Sequence, residues 1–468
     1  MQTVTGPALS AHHWAQTNFG NCVLGDKRRT KRLVRVAEKM ADNPSASLPG
    51  QSPDWSDLKA AYRLFDTDDV TFQAIASGHW ELTRRSAIGR TLVIGDTTEL
   101  DFGRFRQIEG IGPTGNGTGR GFLLHNALMV NAQTEELLGV AGQAIHYRKK
   151  KRSDKRLNGS AQLKRNDRES LVWGTVIEQI GPPAEGVEYV HVFDRGADNF
   201  EVYCRLLQQR GQWVIRASKM SRNVLVGETD EKMSLEKSLM HAKLLGSYTL
   251  SLRARPDQAA RSASIEVRVA QVKIPRPPHV SPWVRSLTPS PVAMNVIEVV
   301  EVNALEGVTP IRWVLLTSLP VETFEQAWEI IGYYEHRWLV EEYHKALKSG
   351  CTTQKHQLKT ADRLESLVGL TSVVAVRLLQ LKSLARTNPN TLARQVVPVV
   401  WLKMLKLARE KLNRVHDLTV GQFYLEVAKL GGFLGRKGDG QPGWITIWRG
   451  WEKLNTFVAV ATKLKLEV

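Results

Sequence analysis

Cysteine is scarce in this sequence, and long apolar runs are missing. The three cysteines, Cys22, Cys204 and Cys351, are odd in number and far apart, which excludes a disulfide framework and the paired spacing of a zinc ribbon. No apolar run approaches the ~20 residues that cross a bilayer, and the N-terminal residues lack the basic and apolar segments of a signal peptide. We therefore expect a soluble protein of a reducing, intracellular compartment, with no membrane partner.

Acidic residues are also few relative to basic ones. The sequence of 468 residues has 64 Lys and Arg against 47 Asp and Glu, which gives a net charge of +17 and a pI of about 9.8. Such an excess attracts polyanions, and nucleic acid is the leading candidate, although charge alone also fits a basic enzyme without such a partner. The length predicts two or three domains.

The chain up to about residue 70 has a helical and basic pattern. Apolar and basic residues alternate through LGDKRRTKRLVRVAEKMADNP, which predicts a helix that ends near Asn43. A second helix is predicted over DLKAAYRLF, with Asp57 as its N-cap. Compact basic helices suit contact with DNA, but a solvated charged surface explains the same pattern.

The middle of the chain alternates strands with helices, and its end is helical. Strands are predicted in TLVIGDTTELDF, GFLLHNALMVNA, LLGVAGQAIHYR, VEYVHVFDRGADNF and QWVIRAS, and a β-rich insertion at about 222–312. Beyond about residue 360 the apolar residues recur with helical spacing. The basic run YRKKKRSDKR at 147–156 predicts an exposed loop.

Two aspartates occupy corresponding places in two predicted strands. Asp96 and Asp194 each follow an apolar run, and we expect both at the C-terminal ends of strands, where carboxylates can gather around a common point. Taken alone, an aspartate in such a place is more typical of a turn or a cap.

A third carboxylate lies in the stretch YEHRWLVEEYHKALK. Tyr334, Arg337, Glu341 and Lys348 follow one another at intervals of three, four and seven residues. At roughly 100° per residue, one continuous helix places them on one stripe. A solvated face of salt bridges has the same appearance.

The three acids together suit metal chemistry. Mg²⁺ prefers a few carboxylate oxygens together with phosphate and water, and two such ions can catalyse phosphoryl transfer. The neighbouring cations Arg337 and Lys348 would then neutralise phosphates that the carboxylates alone repel.

These motifs resemble those of bacterial insertion-sequence transposases of the DDE type, in the Tn-five-like branch of the IS-four group. The resemblance rests on the spacing of residues 334–348, on GDTTEL around Asp96 and on FDRGAD around Asp194. It continues in LGDKRRTKRLV, AAYRLF, SVVAVRLLQL, LGGFLG and GWITIWRGWEKL, in order over nearly the whole chain.

The resemblance implies an α/β fold whose catalytic core is an RNase H-like mixed sheet. It implies a helical transposon-end-binding domain over 1–70 and a catalytic domain over 71–370 that contains the insertion at about 222–312. A C-terminal helical dimerisation domain would then cover 371–468. The expected assembly is a homodimer that pairs transposon ends in a synaptic complex, in the bacterial cytoplasm and associated with the nucleoid.

The resemblance also implies a cut-and-paste reaction without a nucleotide cofactor. Asp96, Asp194 and Glu341 would bind two Mg²⁺ ions, for which Mn²⁺ can substitute. The enzyme would nick each transposon end, form and open a hairpin, and join the 3′-OH to target DNA.

Several DNA-binding residues are carried over from the same resemblance. Trp313 would stack on a flipped base and Arg216 would grip DNA beside it, although a core tryptophan and a surface charge are the plainer interpretations. Lys345 would contact phosphate, unless it only pairs with Glu341 one helical turn away. The remaining expected DNA contacts are Tyr334, Arg337, Trp338 and Lys348 near the break, and Arg28, Arg29 and Arg32 in the end-recognition helix.

Two conspicuous features do not predict a site. The glycine-rich stretch GIGPTGNGTGRG at 110–121 lacks the Lys-Ser/Thr ending of a phosphate-binding loop, and we expect a flexible loop near DNA. His336 and His344 lie near Glu341, but no cysteine or acid spacing supports a tetrahedral zinc site around them.

Two rival functions belong to other classes. A DNA-binding regulator that pairs ends without cutting is disfavoured because the acid trio is intact. An RNase H-like nuclease that cleaves without joining is disfavoured because it needs neither an end-recognition helix nor a helical tail for pairing.

Overall fold

A computed structural model describes residues 10–463, apart from 53, 150–167, 253, 255–258, 288–290, 413–414 and 437. Most of the basic run predicted as a loop at 147–156 therefore lies outside the described residues. The described chain has an N-terminal group of helices, a central mixed sheet covered by helices, and a helical C-terminal region.

The N-terminal helices pack around a common apolar core. They are α1 (Ala11–Phe19), α2 (Lys27–Asp42), α3 (Leu48–Gln51), α4 (Trp55–Phe65) and α5 (Phe72–Arg85). The predicted end of α2 near Asn43 is confirmed, since Asn43 is its C-cap residue. The predicted N-cap Asp57 is wrong, because α4 begins earlier and Asp54 caps it by accepting a hydrogen bond from the backbone N–H of Asp57. The Asp57 carboxylate is thereby left to pair with basic residues of α2.

The central part of the sheet has the strand order of an RNase H-like fold. Its strands are β1 (Gly89–Asp101), β2 (Gly112–Thr114), β3 (Gly119–Asn131), β4 (Leu137–His146), β5 (Val187–Phe193) and β6 (Gln212–Arg216). The order β4-β3-β1-β5-β6 combines antiparallel pairs between β4, β3 and β1 with parallel pairs between β1, β5 and β6. The parallel connections run through helices α6 (Leu171–Ile180) and α7 (Phe200–Gln208).

The predicted β-rich insertion continues the same sheet. It contains β7 (Asn223–Val226), β8 (Glu231–Ser234), α8 (Leu235–Met240), β9 (Lys243–Leu252), β10 (Arg261–Ile274), α9 (Pro282–Ser286) and β11 (Val292–Val302). Strand β12 (Arg312–Thr317) joins the insertion to the core by pairing with β11 on one side and β6 on the other. Ile265, Val267 and Val269 of β10 alternate toward the interior as the sequence predicted.

The glycine-rich stretch is ordered as a hairpin, in contrast to the flexible loop expected. Strand β2 pairs with the start of β3 through three consecutive residues. Gly115 and Gly117 turn the chain between them with φ of 57° and 101°, in the left-handed region that glycine enters without strain. The backbone N–H of Gly115 donates to Glu99 Oε2 at 2.8 Å, which fastens the turn to β1.

The helix predicted around Glu341 is interrupted. Helix α10 (Phe324–Glu335) ends before His336, α11 (Trp338–Lys345) follows, and a π-helical turn covers Ala346–Gly350. At the junction the N–H groups of Leu339 and Val340 bond to carbonyls three residues earlier, which tightens the helix. The prediction of one regular stripe from Tyr334 to Lys348 is therefore wrong. The helix is overwound at the junction before α11 and underwound in the π-helical turn after it.

The C-terminal region is helical, as predicted. Its helices are α12 (Ala361–Thr387), α13 (Val399–Ala408), α14 (Val420–Leu430) and α15 (Trp444–Lys463). Helix α12 contradicts the expectation that no apolar segment approaches bilayer length, since it is long and apolar enough by composition to cross a membrane. However, 94% of its most apolar window is buried, and it packs against α5, α11 and β4. Packing in the protein core thus explains its apolar character.

Helices cover both faces of the central strands. Helices α5, α11 and α12 lie on one face of β1, β3 and β4, while α6 and α7 lie on the other. The first face carries the acid-bearing helix α11, and this arrangement places the candidate site at the point where β5 ends beside β1.

Candidate active site

Strand register brings Asp96 and Asp194 next to each other. The last parallel pair of β1 and β5 joins Gly95 to Phe193. Asp96 directly follows Gly95, and Asp194 directly follows Phe193. Asp96 is not at the end of its strand as predicted, because β1 continues to Asp101 in its antiparallel pairing with β3. The parallel partner ends there instead, which opens the sheet beside Asp96.

Asp194 caps the short turn that follows β5. Its side chain accepts a hydrogen bond from the backbone N–H of Gly196 at 2.8 Å through Oδ1. The cap interpretation is therefore confirmed, and the other carboxylate oxygen, Oδ2, is not used by this bond. Its charge is close enough to act on Asp96.

The environment of Asp96 disfavours its charged form. Burial and the nearby charge of Asp194 raise the pKa of Asp96 from 3.8 to about 6, and Glu341 adds to the rise. A hydrogen bond of 2.7 Å from the backbone N–H of Thr97 and the charge of Arg337 oppose this effect. A buried carboxylate crowded by two others is the electrostatic signature of a site that gains from a bound cation.

Arg337 joins the third acid to the first. Its Nη2 donates to Glu341 Oε1 at 2.6 Å, and its Nη1 donates to Asp96 Oδ2 at 3.3 Å. The three side chains are only 18–29% exposed. Burial alone would lower the pKa of Arg337, but the hydrogen bond to Glu341 and the neighbouring negative charges raise it. The guanidinium therefore stays charged and lies between the two carboxylates.

The donor set fits a hard divalent cation, although the arrangement is not a finished ligand cluster. Within the described ranges of the chain, no three Asp, Glu, His or Cys side chains stand together in a ready metal-binding geometry. Arg337 pairs with both Asp96 and Glu341. The three carboxylates still offer oxygen ligands of the kind that Mg²⁺ binds.

The other residues of the predicted stripe surround this centre. Lys348 is half-buried, burial lowers its pKa, and the charge of Glu99 opposes that change. Lys345 is exposed and its Nζ lies 5.0 Å from the ring centroid of Trp338, which is 54% exposed. Among the described residues no ion pair joins Lys345 to Glu341, because Arg337 takes that carboxylate. Lys345 and Trp338 thus form one exposed cation–π pair.

Trp313 and Arg216 are neighbours on adjacent strands. The guanidinium carbon of Arg216 lies 6.0 Å from the Trp313 ring centroid, and β12 pairs with β6 at this point. The Trp313 ring also meets Tyr334 edge-on, with ring centroids 5.3 Å apart. Trp313 is only partly buried, so its ring is both held and accessible.

The three predicted end-recognition arginines differ in their surroundings. Arg28 is exposed and pairs with Asp26, the N-cap of α2. Arg29 donates to Leu24 O and pairs with Asp69, while Arg32 pairs with Asp57. Arg29 and Arg32 therefore tie α2 to the rest of the N-terminal region. Lys27, Lys31 and Arg35 were not among the predicted DNA contacts, but they are exposed on α2 together with Arg28.

A further pair of residues near the acids was missed by sequence reasoning. Asn126 of β3 lies directly opposite Asp96 of β1, and its side-chain Nδ2 is 3.1 Å from Nε2 of His344 on α11. No sequence motif marks Asn126. His344 had been considered only as a zinc ligand, and its spacing of three residues from Glu341 is the signal that could have found it.

Comparison with known families gives matches at both ends of the chain. Residues 11–70 match the family described as transposase DNA-binding, and residues 373–465 match the transposase Tn5 dimerisation domain. The first match covers α1 to α4, and the second covers most of α12 together with α13 to α15. Both support the resemblance to Tn-five-like transposases inferred from the sequence motifs.

Among solved structures, a cryo-EM structure of a piggyBac transposase synaptic complex with hairpin DNA aligns with this chain. The sequence identity is 9% and the TM-score is 0.34, over 95% of this chain and 73% of that one. A score this low does not establish a shared fold.

Proposed function

From a chain whose two ends both match transposase families, we propose a DDE-type DNA transposase that works by cut and paste. The matches support a DNA-binding protein that dimerises and acts in DNA transposition. The finer proposal is that the chain nicks transposon ends, forms and opens a hairpin, and joins the 3′-OH to target DNA. We place this activity in the bacterial cytoplasm, on the nucleoid.

The observation that carries the proposal is that three carboxylates lie close enough to act on one another and that one arginine bonds two of them. Asp96 lies in β1, Asp194 directly follows the neighbouring strand β5 and Glu341 lies on α11, and burial together with the charges of the other two acids raises the pKa of Asp96. These three residues would hold two Mg²⁺ ions, with Mn²⁺ as a substitute. When bound, such ions activate the attacking oxygen and stabilise the leaving oxygen in phosphoryl transfer.

The cations around the acids would hold the DNA strand. Lys348 is half-buried beside Glu99, and Lys345 is exposed next to Trp338, so both can meet phosphates on the side of the break. Arg337 bonds two acids through separate nitrogens, and a guanidinium presents five N–H donors in a planar fork. It can therefore exchange a carboxylate for a phosphate oxygen without losing its remaining partner.

Trp313 and Arg216 would receive a base displaced from the duplex. A hairpin requires sharp bending of the strand next to the break, which is easier when one base leaves the stack. The Trp313 ring is fixed edge-on by Tyr334 and flanked by the Arg216 guanidinium. Stacking on such an aromatic contributes about 1–3 kcal/mol per base, which offsets part of the unstacking cost.

The proposal is tested by a cleavage and joining assay. The purified protein is incubated with Mg²⁺ and linear DNA that carries candidate transposon ends, beside Glu341→Gln and the matched control Glu335→Gln, an exposed acid on α10. We expect hairpin-ended and strand-transfer products from the native protein and from the control, and none from Glu341→Gln. Salt-sensitive binding without cleavage would favour the regulator, and cleavage without joining would favour the nuclease.

A further inference from the structure

A chain of buried polar side chains crosses the interior behind the acids. Trp80 Nε1 of α5 donates to Gln143 Oε1 of β4 at 3.1 Å, and Gln143 Nε2 donates to Asn126 Oδ1 at 2.6 Å. Asn126 Nδ2 then lies 3.1 Å from His344 Nε2. All four side chains are at least nine-tenths buried, and buried polar groups are costly unless they are bonded.

We call these four hydrogen-bonded side chains the relay. Their chemistry determines which atom donates and which accepts in every bond. An indole N–H can only donate, so the oxygen of the Gln143 amide must face Trp80 and its nitrogen must face Asn126. The Asn126 oxygen accepts that bond, and its nitrogen donates both to Leu124 O and toward His344 Nε2. His344 must therefore accept at Nε2, as a neutral ring with its proton on Nδ1. Burial lowers the pKa of His344 to about 3, in agreement with a neutral ring.

The relay ends on the helix that carries Glu341. Arg337, the N-cap residue of α11, bonds Glu341, and His344 lies three residues beyond Glu341 on the same side of the helix, so that the three form a short stripe. The Arg337 end of this stripe is bonded to Asp96 of β1, and the His344 end is bonded to Asn126 of β3, directly opposite Asp96. Glu341 lies between these two attachments.

The two attachments are not equivalent. Arg337 would be drawn away whenever it binds a phosphate or a cation displaces it from Asp96. Among the described residues the side chains of Asn126 and His344 form no hydrogen bond to an acid of the site, and their own bond is buried away from solvent. The relay therefore remains when the first attachment is released.

We propose that Asn126 and His344 are positioning residues, which set the rotation of α11 and hence the place of Glu341 relative to Asp96. The proposal rests on the proposed function, since it assigns these residues a role in the same reaction. This role predicts that disruption of the relay slows the reaction without weakening DNA binding, which a role in core packing alone does not predict.

The direction of the relay is tested independently of activity by nitrogen NMR of histidine rings. With ring-labelled histidine in the full chain, His344 is assigned by the signal lost in His344→Gln. We expect an unprotonated Nε2 and a protonated Nδ1 at neutral pH. In Asn126→Asp, whose carboxylate cannot donate, we expect the proton to move to Nε2. A native ring protonated at Nε2 would overturn the relay.

Positioning is tested by single-turnover cleavage at saturating DNA and Mg²⁺. We expect Asn126→Leu and His344→Leu to slow cleavage by about 10- to 100-fold, as loss of a supporting residue behind a metal site commonly does. DNA affinity is expected to stay unchanged. His344→Gln is expected to recover part of the rate because its amide can offer an acceptor near the position of Nε2, and this conservative variant also serves if a leucine variant does not fold.

His79→Leu is the matched control. His79 is a buried histidine of α5 whose Nε2 accepts the backbone N–H of Val140 at 3.1 Å, and its bonds do not reach α11 in the described chain. We expect it to lower the melting temperature and to leave the cleavage rate unchanged.

The outcomes separate this proposal from the proposed function. If the native protein cleaves DNA and both leucine variants match its rate, the positioning role is overturned and the transposase remains. If the native protein cleaves no end while His344 carries its proton on Nδ1, the proposed function fails and the positioning role fails with it, whereas the relay stands as a structural element.

Discussion

Gly95 and Phe193 form the last parallel pair of β1 and β5, and the next residue on each strand is an aspartate. This single register determines that Asp96 and Asp194 lie side by side. A slip by one residue would send one carboxylate to the opposite face, since side chains alternate along a strand. The electrostatic crowding at Asp96 follows directly from this pairing.

The crowding at Asp96 predicts a pH-dependent stability. In metal-free protein the pKa of Asp96 is raised from 3.8 to about 6, so the folded state holds the proton more tightly than the unfolded state. The contribution of Asp96 to the free energy of unfolding therefore falls as pH rises through this window. Asp96→Asn is expected to become more stable than the native protein over the same range, relative to their difference at low pH. The gain approaches about 3 kcal/mol at neutral pH as an upper value.

Urea unfolding in the presence of a chelator, at a series of pH values, measures this gain. Asp68→Asn is the control, because Asp68 is an exposed aspartate outside the site. An equal pH dependence in both variants would contradict the electrostatic account of the site.

Trp313 is predicted to act through stacking. Trp313→Ala is expected to slow hairpin formation by about 5- to 150-fold, equivalent to the 1–3 kcal/mol of one base–aromatic stack, and Trp313→Phe is expected to lose less. Resolved hairpin products on a denaturing gel measure the effect. Trp328→Ala, at a half-exposed tryptophan of α10, is expected to leave hairpin formation unchanged, and an equal loss there would argue against a base at Trp313.

The exposed basic residues of α2 are predicted to bind DNA phosphate more directly than the paired ones. Lys31→Ala and Arg35→Ala are each expected to reduce the salt slope of end binding by about one. Arg32→Ala is expected instead to lower stability, because among the described residues it leaves the partly buried Asp57 carboxylate paired with Lys39 alone. Fluorescence anisotropy across a salt series, paired with melting curves, distinguishes these effects. A full loss of binding in a stably folded Arg32→Ala would show that Arg32 itself contacts DNA.

The last helix is predicted to contribute to the dimer. Phe457 and Val460 of α15 are 41% and 50% exposed apolar residues within the segment that matches the dimerisation family. Burying such side chains contributes about 1.5–3 kcal/mol each, so Phe457→Asp is expected to weaken the dimer by about 10- to 100-fold. Light scattering after size exclusion measures this change.

The control for the dimer prediction is Leu407→Asp, at an exposed leucine of α13. If Phe457→Asp dimerises as strongly as the native protein, Phe457 is not part of the dimer interface. Binding of a single DNA end is expected to survive in both variants.

Sequence patterns predicted the elements well wherever local periodicity decides them. The apolar strand before Asp194, the helices that flank it and the alternation in β10 all follow from spacing alone. The interruption between His336 and Trp338 does not, because it arises from a local change in hydrogen bonding within residues that keep helical backbone angles. The extension of β1 beyond Asp96 depends on its partner β3, which no local pattern specifies.

The candidate site could be predicted only in part, for the same reason. The sequence indicated which three carboxylates belong to the site, but the distances between them depend on strand register and on the placement of α11. The family resemblance assigned Arg216 and Trp313 to DNA near the same base, and in the structure the Arg216 guanidinium carbon lies 6.0 Å from the Trp313 ring centroid. The bond between Asn126 and His344 required tertiary structure, since 218 residues separate them.

The most direct test of the account is single-turnover cleavage of end DNA by Asp96→Asn, Asp194→Asn and Glu341→Gln, each compared with the native protein at saturating Mg²⁺. If the three carboxylates form one centre, every variant loses several kcal/mol of transition-state stabilisation, or about 1,000-fold in rate, while it binds DNA and remains folded. Near-native cleavage by any one of the three would contradict the account.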